Sequence, residues 1–133
     1  MMIAFPPCTH LCVSGARWFK YKQTEQAQAI RFVESLWTAG ISRIAIENPV
    51  GILSTRSILG KPLLTVQPYQ FGHDASKATC LWLKNLPPLV PTEIVDGRKA
   101  VVHRMPPSPD RWKARSRTYP GIAAAMAAQW SSP

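Results

Sequence analysis

In Arg43-Ile44-Ala45-Ile46-Glu47-Asn48-Pro49, the run Arg43 to Ile46 reads as a short buried strand, followed by a carboxylate, an amide and a proline. Short continuous apolar runs suit strands that are covered on both faces, as in parallel sheets. A second run of this kind opens the chain, where Met2-Ile3-Ala4-Phe5 leads into Pro6-Pro7-Cys8. If the two strands lie side by side and parallel, the Cys8 thiol and the Glu47 carboxyl face one crevice. That crevice is at the carboxyl ends of the strands, where open α/β sheets place their ligands.

Working outward, the segment between the two runs supplies the crossover helix. Thr24 is placed to cap it, Ala27, Ile30, Val33 and Leu36 or Trp37 recur at helical spacing, and Gly40 suits the position just past its end. The turn Pro49-Val50-Gly51 leads to a short helix around Ser54 to Leu59. Leu64 to Phe71 and Thr79 to Lys84 read as two further strands, joined by a connection that begins at Gly72-His73-Asp74. Residues 86–117 form a proline-rich basic loop region in which Val101-Val102 is a minor strand candidate. Ile122 to Trp130 is an alanine-rich helix opened by Pro120-Gly121. Helices alternating with short apolar strands give an α/β layer fold. With 133 residues the expectation is a single domain over 1–133.

Composition narrows the class. No apolar run reaches the roughly 18 residues of a membrane span, and the N-terminus lacks the pattern of a signal peptide. The expectation is a soluble, cytoplasmic protein without membrane contact. Three cysteines do not form a paired secretory framework. Cys8-Thr9-His10-Leu11-Cys12 looks like half of a metal loop, with His73 or Cys80 to complete it. Structural zinc sites show a second spaced ligand pair, which is missing, so no metal is expected.

Sixteen basic residues against seven acidic ones give a net charge of +9. Such a surface favours nucleic acid or an acidic protein. From Arg98 to Arg117 the chain carries Arg98, Lys99, Arg104, Arg111, Lys113, Arg115 and Arg117 against Asp110 alone. This is either a contact surface or a solvated charged loop. Arg17, Trp18, Lys20 and Lys22, interleaved with Phe19 and Tyr21, suit phosphate contact with base stacking, or a loop anchored by its aromatic rings.

Cys8 and Glu47 carry the chemistry. Attack on an unactivated pyrimidine ring needs a strong nucleophile, and a thiolate is the best a protein has. A carboxyl group on the ring nitrogen makes the ring electrophilic where the thiolate attacks. The plainer readings are a small buried cysteine at a strand end and a glutamate paired with Arg43.

The two triplets Pro6-Pro7-Cys8 and Glu47-Asn48-Pro49 resemble the catalytic strand ends of DNA cytosine-C5 methyltransferases, in particular the small phage-type members. The segment Gln70-Phe71-Gly72-His73-Asp74-Ala75-Ser76-Lys77-Ala78-Thr79 is similar to the family's aromatic-glycine segment. There Ala75, Lys77 and Thr79 stand where the family has a glutamine and two arginines, so Lys77 is the one positive charge kept. Tyr119-Pro120-Gly121-Ile122 sits where the family's C-terminal motif returns to the donor pocket. The resemblance runs from Met2 to Trp130 and implies a truncated Rossmann-like methyltransferase sheet with flanking helices. Cys8 and Glu47 become the catalytic pair, ancestral or present.

The family binds S-adenosylmethionine with a glycine-rich turn after its first strand. Here the glycines are spread singly, and no strand, glycine loop and helix precede Pro6. The resemblance therefore implies no cofactor for this chain alone, and S-adenosylmethionine only with a complementing chain. Because this chain supplies only one neighbour for the Met2 to Phe5 strand, its other edge is expected to be covered by a protein or nucleoprotein partner, by a second copy, or by a rearranged piece of this chain. Three functions follow as expectations. The first is a methyltransferase-derived binding protein, such as a phage inhibitor of host defence of the anti-CRISPR kind. The second is the catalytic half of a split methyltransferase, and the third is a homodimeric module binding DNA or RNA. The candidates for nucleic-acid or partner contact are Arg17, Trp18, Lys20, Lys22, Lys77, Arg104, Arg111, Lys113, Arg115 and Arg117.

Overall fold

A central strand with a neighbour on each side organises the sheet. The computed structural model describes residues 1–11, 23–95 and 118–131. In chain order its elements are β1 (Met2–Ala4), α1 (Gln23–Trp37), β2 (Ile44–Pro49), α2 (Leu53–Arg56), β3 (Leu64–Val66), a 3-10 turn (Pro68–Gln70), β4 (Thr79–Lys84) and α3 (Pro120–Trp130). The four strands form one mixed sheet in the order β1-β2-β4-β3. β1 runs parallel to β2 with Met2 opposite Ile44 and Ala4 opposite Ile46. β4 runs antiparallel to β2, pairing Ile44 with Lys84 and Pro49 with Thr79. The protein is thus α/β, and among the described residues β1 is an edge strand.

The chain divides into two compact units, one of Met1–Thr65 with Thr79–Leu86, the other of Val66–Ala78 with Pro87–Pro133. In the first unit, one face of the sheet packs on α1. Ile44, Ile46, Cys80 and Trp82 meet Ile30 and Val33, with Leu11 and Leu53 closing the cluster. Alternation explains the set, because opposed residues of an antiparallel pair share a face. α1 ends as the sequence suggested, with Gly40 at φ +77°. Its C-terminal carbonyl at Trp37 accepts a hydrogen bond from Lys84 Nζ at 2.7 Å, and the same ammonium lies 4.5 Å from the Trp37 ring centre. Lys84 on β4 thereby supplies the cation that the helix lacks in its own last turn.

The second unit is built on α3. Ile122, Ala125, Met126 and Trp130 are buried. Trp130 Nε1 donates to the Pro87 carbonyl, and the Gln129 side chain makes two 2.8 Å bonds with the backbone of Val90. Residues 92–95 run beside residues 69–72, with Gly72 N–H donating to the Glu93 carbonyl and Val95 N–H to that of Tyr69.

Several boundaries differ from expectation. The Leu64 to Phe71 strand stops at Val66, because Pro68 has no N–H for a ladder. Gln67 and Gln70 instead bond reciprocally around the 3-10 turn. β2 does not end at Ile46; Glu47, Asn48 and Pro49 continue it against Leu81, Cys80 and Thr79. β1 ends at Ala4, and the second helix covers Leu53–Arg56 rather than Ser54 to Leu59. Thr24 lies inside α1, which starts at Gln23, and the buried stripe uses Gln26 in place of Ala27. Gln26 is tolerated there because its Oε1 accepts from Arg56 Nη1 at 3.1 Å. Val101-Val102 lies outside the described residues.

Candidate functional site

Parallel pairing of β1 with β2 decides where the two triplets go. With Ala4 opposite Ile46, the next residues along are Phe5 beside Glu47 and Pro6 beside Asn48. A parallel ladder cannot continue there, because Pro6 and Pro49 have no N–H to give. A side chain takes over. Asn48 Nδ2 donates to the Pro6 carbonyl at 3.0 Å, in a buried bond. Two residues on, Cys8 begins a tight turn closed by Leu11 N–H donating to the Cys8 carbonyl at 2.9 Å. Ile52 N–H, just past β2, then holds the Leu11 carbonyl at 2.8 Å. The cysteine is thus bracketed by two attachments to β2 and its continuation.

Cys8 is half-buried, and Glu47 is 9% exposed. Consecutive strand residues face opposite ways. Asn48 shares its face with Ile44, Ile46 and the opposed Cys80, while Glu47 is on the other face with Ala45 and Leu81. Asn48 is 1% exposed. A carbonyl only accepts, so the Pro6 contact fixes Nδ2 toward it and leaves Oδ1 buried without a partner. An unmet buried acceptor costs about 1–3 kcal/mol. His10 Nδ1 and Gln26 Nε2, in the same unit, are likewise buried and unmatched.

Cys80, opposite Asn48, is a different kind of thiol. Burial pushes its pKa up, a contact with Thr65 Oγ1 at 3.8 Å opposes the shift, and the nearby Glu47 charge adds to it. Among the described residues no group of three or more His, Cys, Asp or Glu is placed to hold a metal.

The sequence-derived candidates separate clearly. Cys8 and Glu47 stand at the same ends of adjacent strands in the first unit. Lys77 belongs to the second unit, in the connection before β4, where its backbone N–H donates to Gln67 Oε1 at 2.7 Å. Arg17, Trp18, Lys20, Lys22, Arg104, Arg111, Lys113, Arg115 and Arg117 lie outside the described residues, as do Cys12, Arg98 and Lys99. Asn48 is the residue whose role sequence reasoning did not assign. Its signal is an amide among donor-free prolines at a strand end.

Within the second unit, two distant segments meet. Gly121 N–H, in the first turn of α3, donates to His73 Nε2 at 2.9 Å, and the Tyr119 ring packs tilted on His73 at 5.1 Å. Gly121 is required there, because a Cβ would collide with the Phe71 carbonyl.

The described glycines with positive φ are Gly40 after α1, Gly60 after α2, and Gly72 in the second unit. The β2–α2 turn has Gly51 alone, and α2 is four residues long. Comparison with protein-family models, with curated proteins and with solved structures gives no match in any of the three.

Proposed function

We propose that this chain provides the base-binding part of a DNA cytosine-C5 methyltransferase site of truncated Rossmann-like type, with the methyl donor held by other polypeptide. The observation that carries this reading is the β1–β2 register extended by the Asn48–Pro6 bond, which sets Cys8 and Glu47 at one end of adjacent parallel strands.

In this reading Cys8 Sγ adds to C6 of a cytosine while Glu47 gives a proton to N3. An S–C6 bond forms, the C5–C6 π pair shifts to C4–C5, and the former N3–C4 π pair takes the proton. The thiol proton leaves to solvent, and the Glu47 carboxyl becomes a carboxylate. The addition activates C5 and is complete in atoms and electrons without a donor. Such a reaction belongs in a reducing cytoplasm, where the thiol persists.

The test uses the full chain and a DNA oligonucleotide with pyrimidin-2-one in place of the target cytosine, read by denaturing mass spectrometry. Wild type is expected to form an adduct on the Cys8 peptide, and Cys8→Ser none. Glu47→Gln is expected to form it at least tenfold more slowly, on the order of a lost general acid. Absence of any adduct with wild type would sink the proposal.

Among the described residues β1 has no strand on its outer side, which favours a second reading, a binding protein that uses this edge. Phe5, just past the strand, is 45% exposed. A protein, a nucleoprotein or a second copy adding a strand there would cover unpaired backbone groups. A phage inhibitor of host defence fits that description. Capture of such a partner should survive the double substitution of Cys8 and Glu47; its loss in a folded double variant would end this alternative.

A further inference from the structure

We propose that Asn48 is a positioning residue for Cys8: its side-chain amide replaces the missing β-ladder and sets the approach of the thiol without touching the substrate. This deepens the function proposed above and rests on it.

Backbone chemistry is the first support. Beyond Ala4 and Ile46, continued parallel pairing would draw on the N–H groups of Pro6 and Pro49, and neither exists. The Asn48 bond ties the chain between Ala4 and the Cys8–Leu11 turn to β2. With it, Pro6 is pinned two residues before the thiol, at 3.0 Å and out of water. The Ile52–Leu11 bond pins the other side of the turn.

The second support is independent. Asn48 points to an apolar face made by Ile44, Ile46, Cys80 and Trp82, where a hydrocarbon side chain would pack. It is almost wholly buried, and its Oδ1 has no partner. An idle buried acceptor in an apolar face is a local violation of the kind found where function sets the residue. Here only the donor half of the amide is used, and the donor goes to the strand end that carries the thiol.

Two substitutions test the idea. Asn48→Ala removes the amide, and Asn48→Leu replaces it with a somewhat larger apolar side chain of similar branching. Each is compared with wild type in the pyrimidin-2-one reaction, separating the rate at saturating DNA from the DNA concentration at half-saturation. The rate is expected to fall by roughly 10- to 100-fold, the scale of a displacement of about 1 Å. The half-saturating concentration is expected to stay within about twofold, since phosphate contacts dominate affinity.

A second readout does not depend on the base. Iodoacetamide labelling is followed by peptide mapping, with Cys80 as a buried internal reference. The Cys8 rate in the folded variants should differ from wild type by about threefold or more, as expected when a thiol's surroundings change. If wild type forms no adduct but the Cys8 labelling rate moves, the base chemistry fails and the positioning role stands. Unchanged adduct rate and unchanged labelling in folded variants would overturn it. So would failure of both variants to fold, which makes Asn48 a structural residue only.

Discussion

Cys80 and Cys8 show how two thiols near one strand end are given different fates. Cys80 sits on β4 inside the apolar face, and burial with the Glu47 charge holds its proton on. The folded pKa is raised above the unfolded value, so the folded chain keeps a proton that the unfolded chain releases. Its contribution to stability is complete below about pH 9, the ordinary thiol value, and is lost as pH rises from there through the folded pKa. Urea unfolding from pH 7 to 10.5 should show wild type losing stability faster above pH 9 than Cys80→Ala. Parallel curves for the two would remove Cys80 from the account. Cys8 and Glu47 were legible as a pair because proline follows or precedes each at the end of an apolar run. Asn48 was not, since its part depends on which backbone donors are absent from the neighbouring strand.

At the scale of elements, β4 was read in full and β3 only in part. Thr79–Lys84 alternates into a two-sided environment with no breaker, whereas the run from Leu64 meets Pro68 after three paired residues. The parallel pairing of β1 with β2 was read, but the antiparallel direction of β4 was not, since a continuous apolar run looks the same either way. The α1 stripe was displaced by one position at its start because Gln26 is polar, and only the Arg56 contact shows why it is buried. The start of α3 was signalled by Pro120, but its first turn is also held by a contact with no local signal, the Gly121–His73 bond. His73→Ala should cost about 0.5–2 kcal/mol, the scale of a lost N-terminal cap. Gly121→Ala should cost about 1–3 kcal/mol through the clash with the Phe71 carbonyl. Thermal unfolding with amide hydrogen exchange on α3 measures both, and wild-type protection in Gly121→Ala would contradict the packing described.

For the whole molecule, charge is the main sequence-level property that bears on partners. A net charge of +9 with a basic run near the C-terminus predicts DNA binding whose logarithm falls linearly with the logarithm of salt concentration. The slope should be about −0.9 per neutralised phosphate. Replacing Arg111, Lys113, Arg115 and Arg117 together by serine should flatten it measurably in a fluorescence titration. A slope unaffected by the four changes would assign DNA contact to other basic residues. No described helix is long and apolar enough to cross a membrane. The α/β class was legible because helical and strand periodicities alternate cleanly, while the partition into two units was not. It arises from long-range pairings such as Trp130 with Pro87 and Trp82 with Gly60, which leave no pattern in neighbouring residues.

The donor-free stretch Pro6-Pro7 has a consequence for self-association. A foreign strand laid along β1 meets N–H groups only as far as Phe5, and then a run that offers none. Fibril growth needs an uninterrupted edge that each newcomer recreates. This edge is too short for that, so the same prolines that leave the Cys8 turn to Asn48 also make β1 a terminus that resists stacking into an open-ended aggregate.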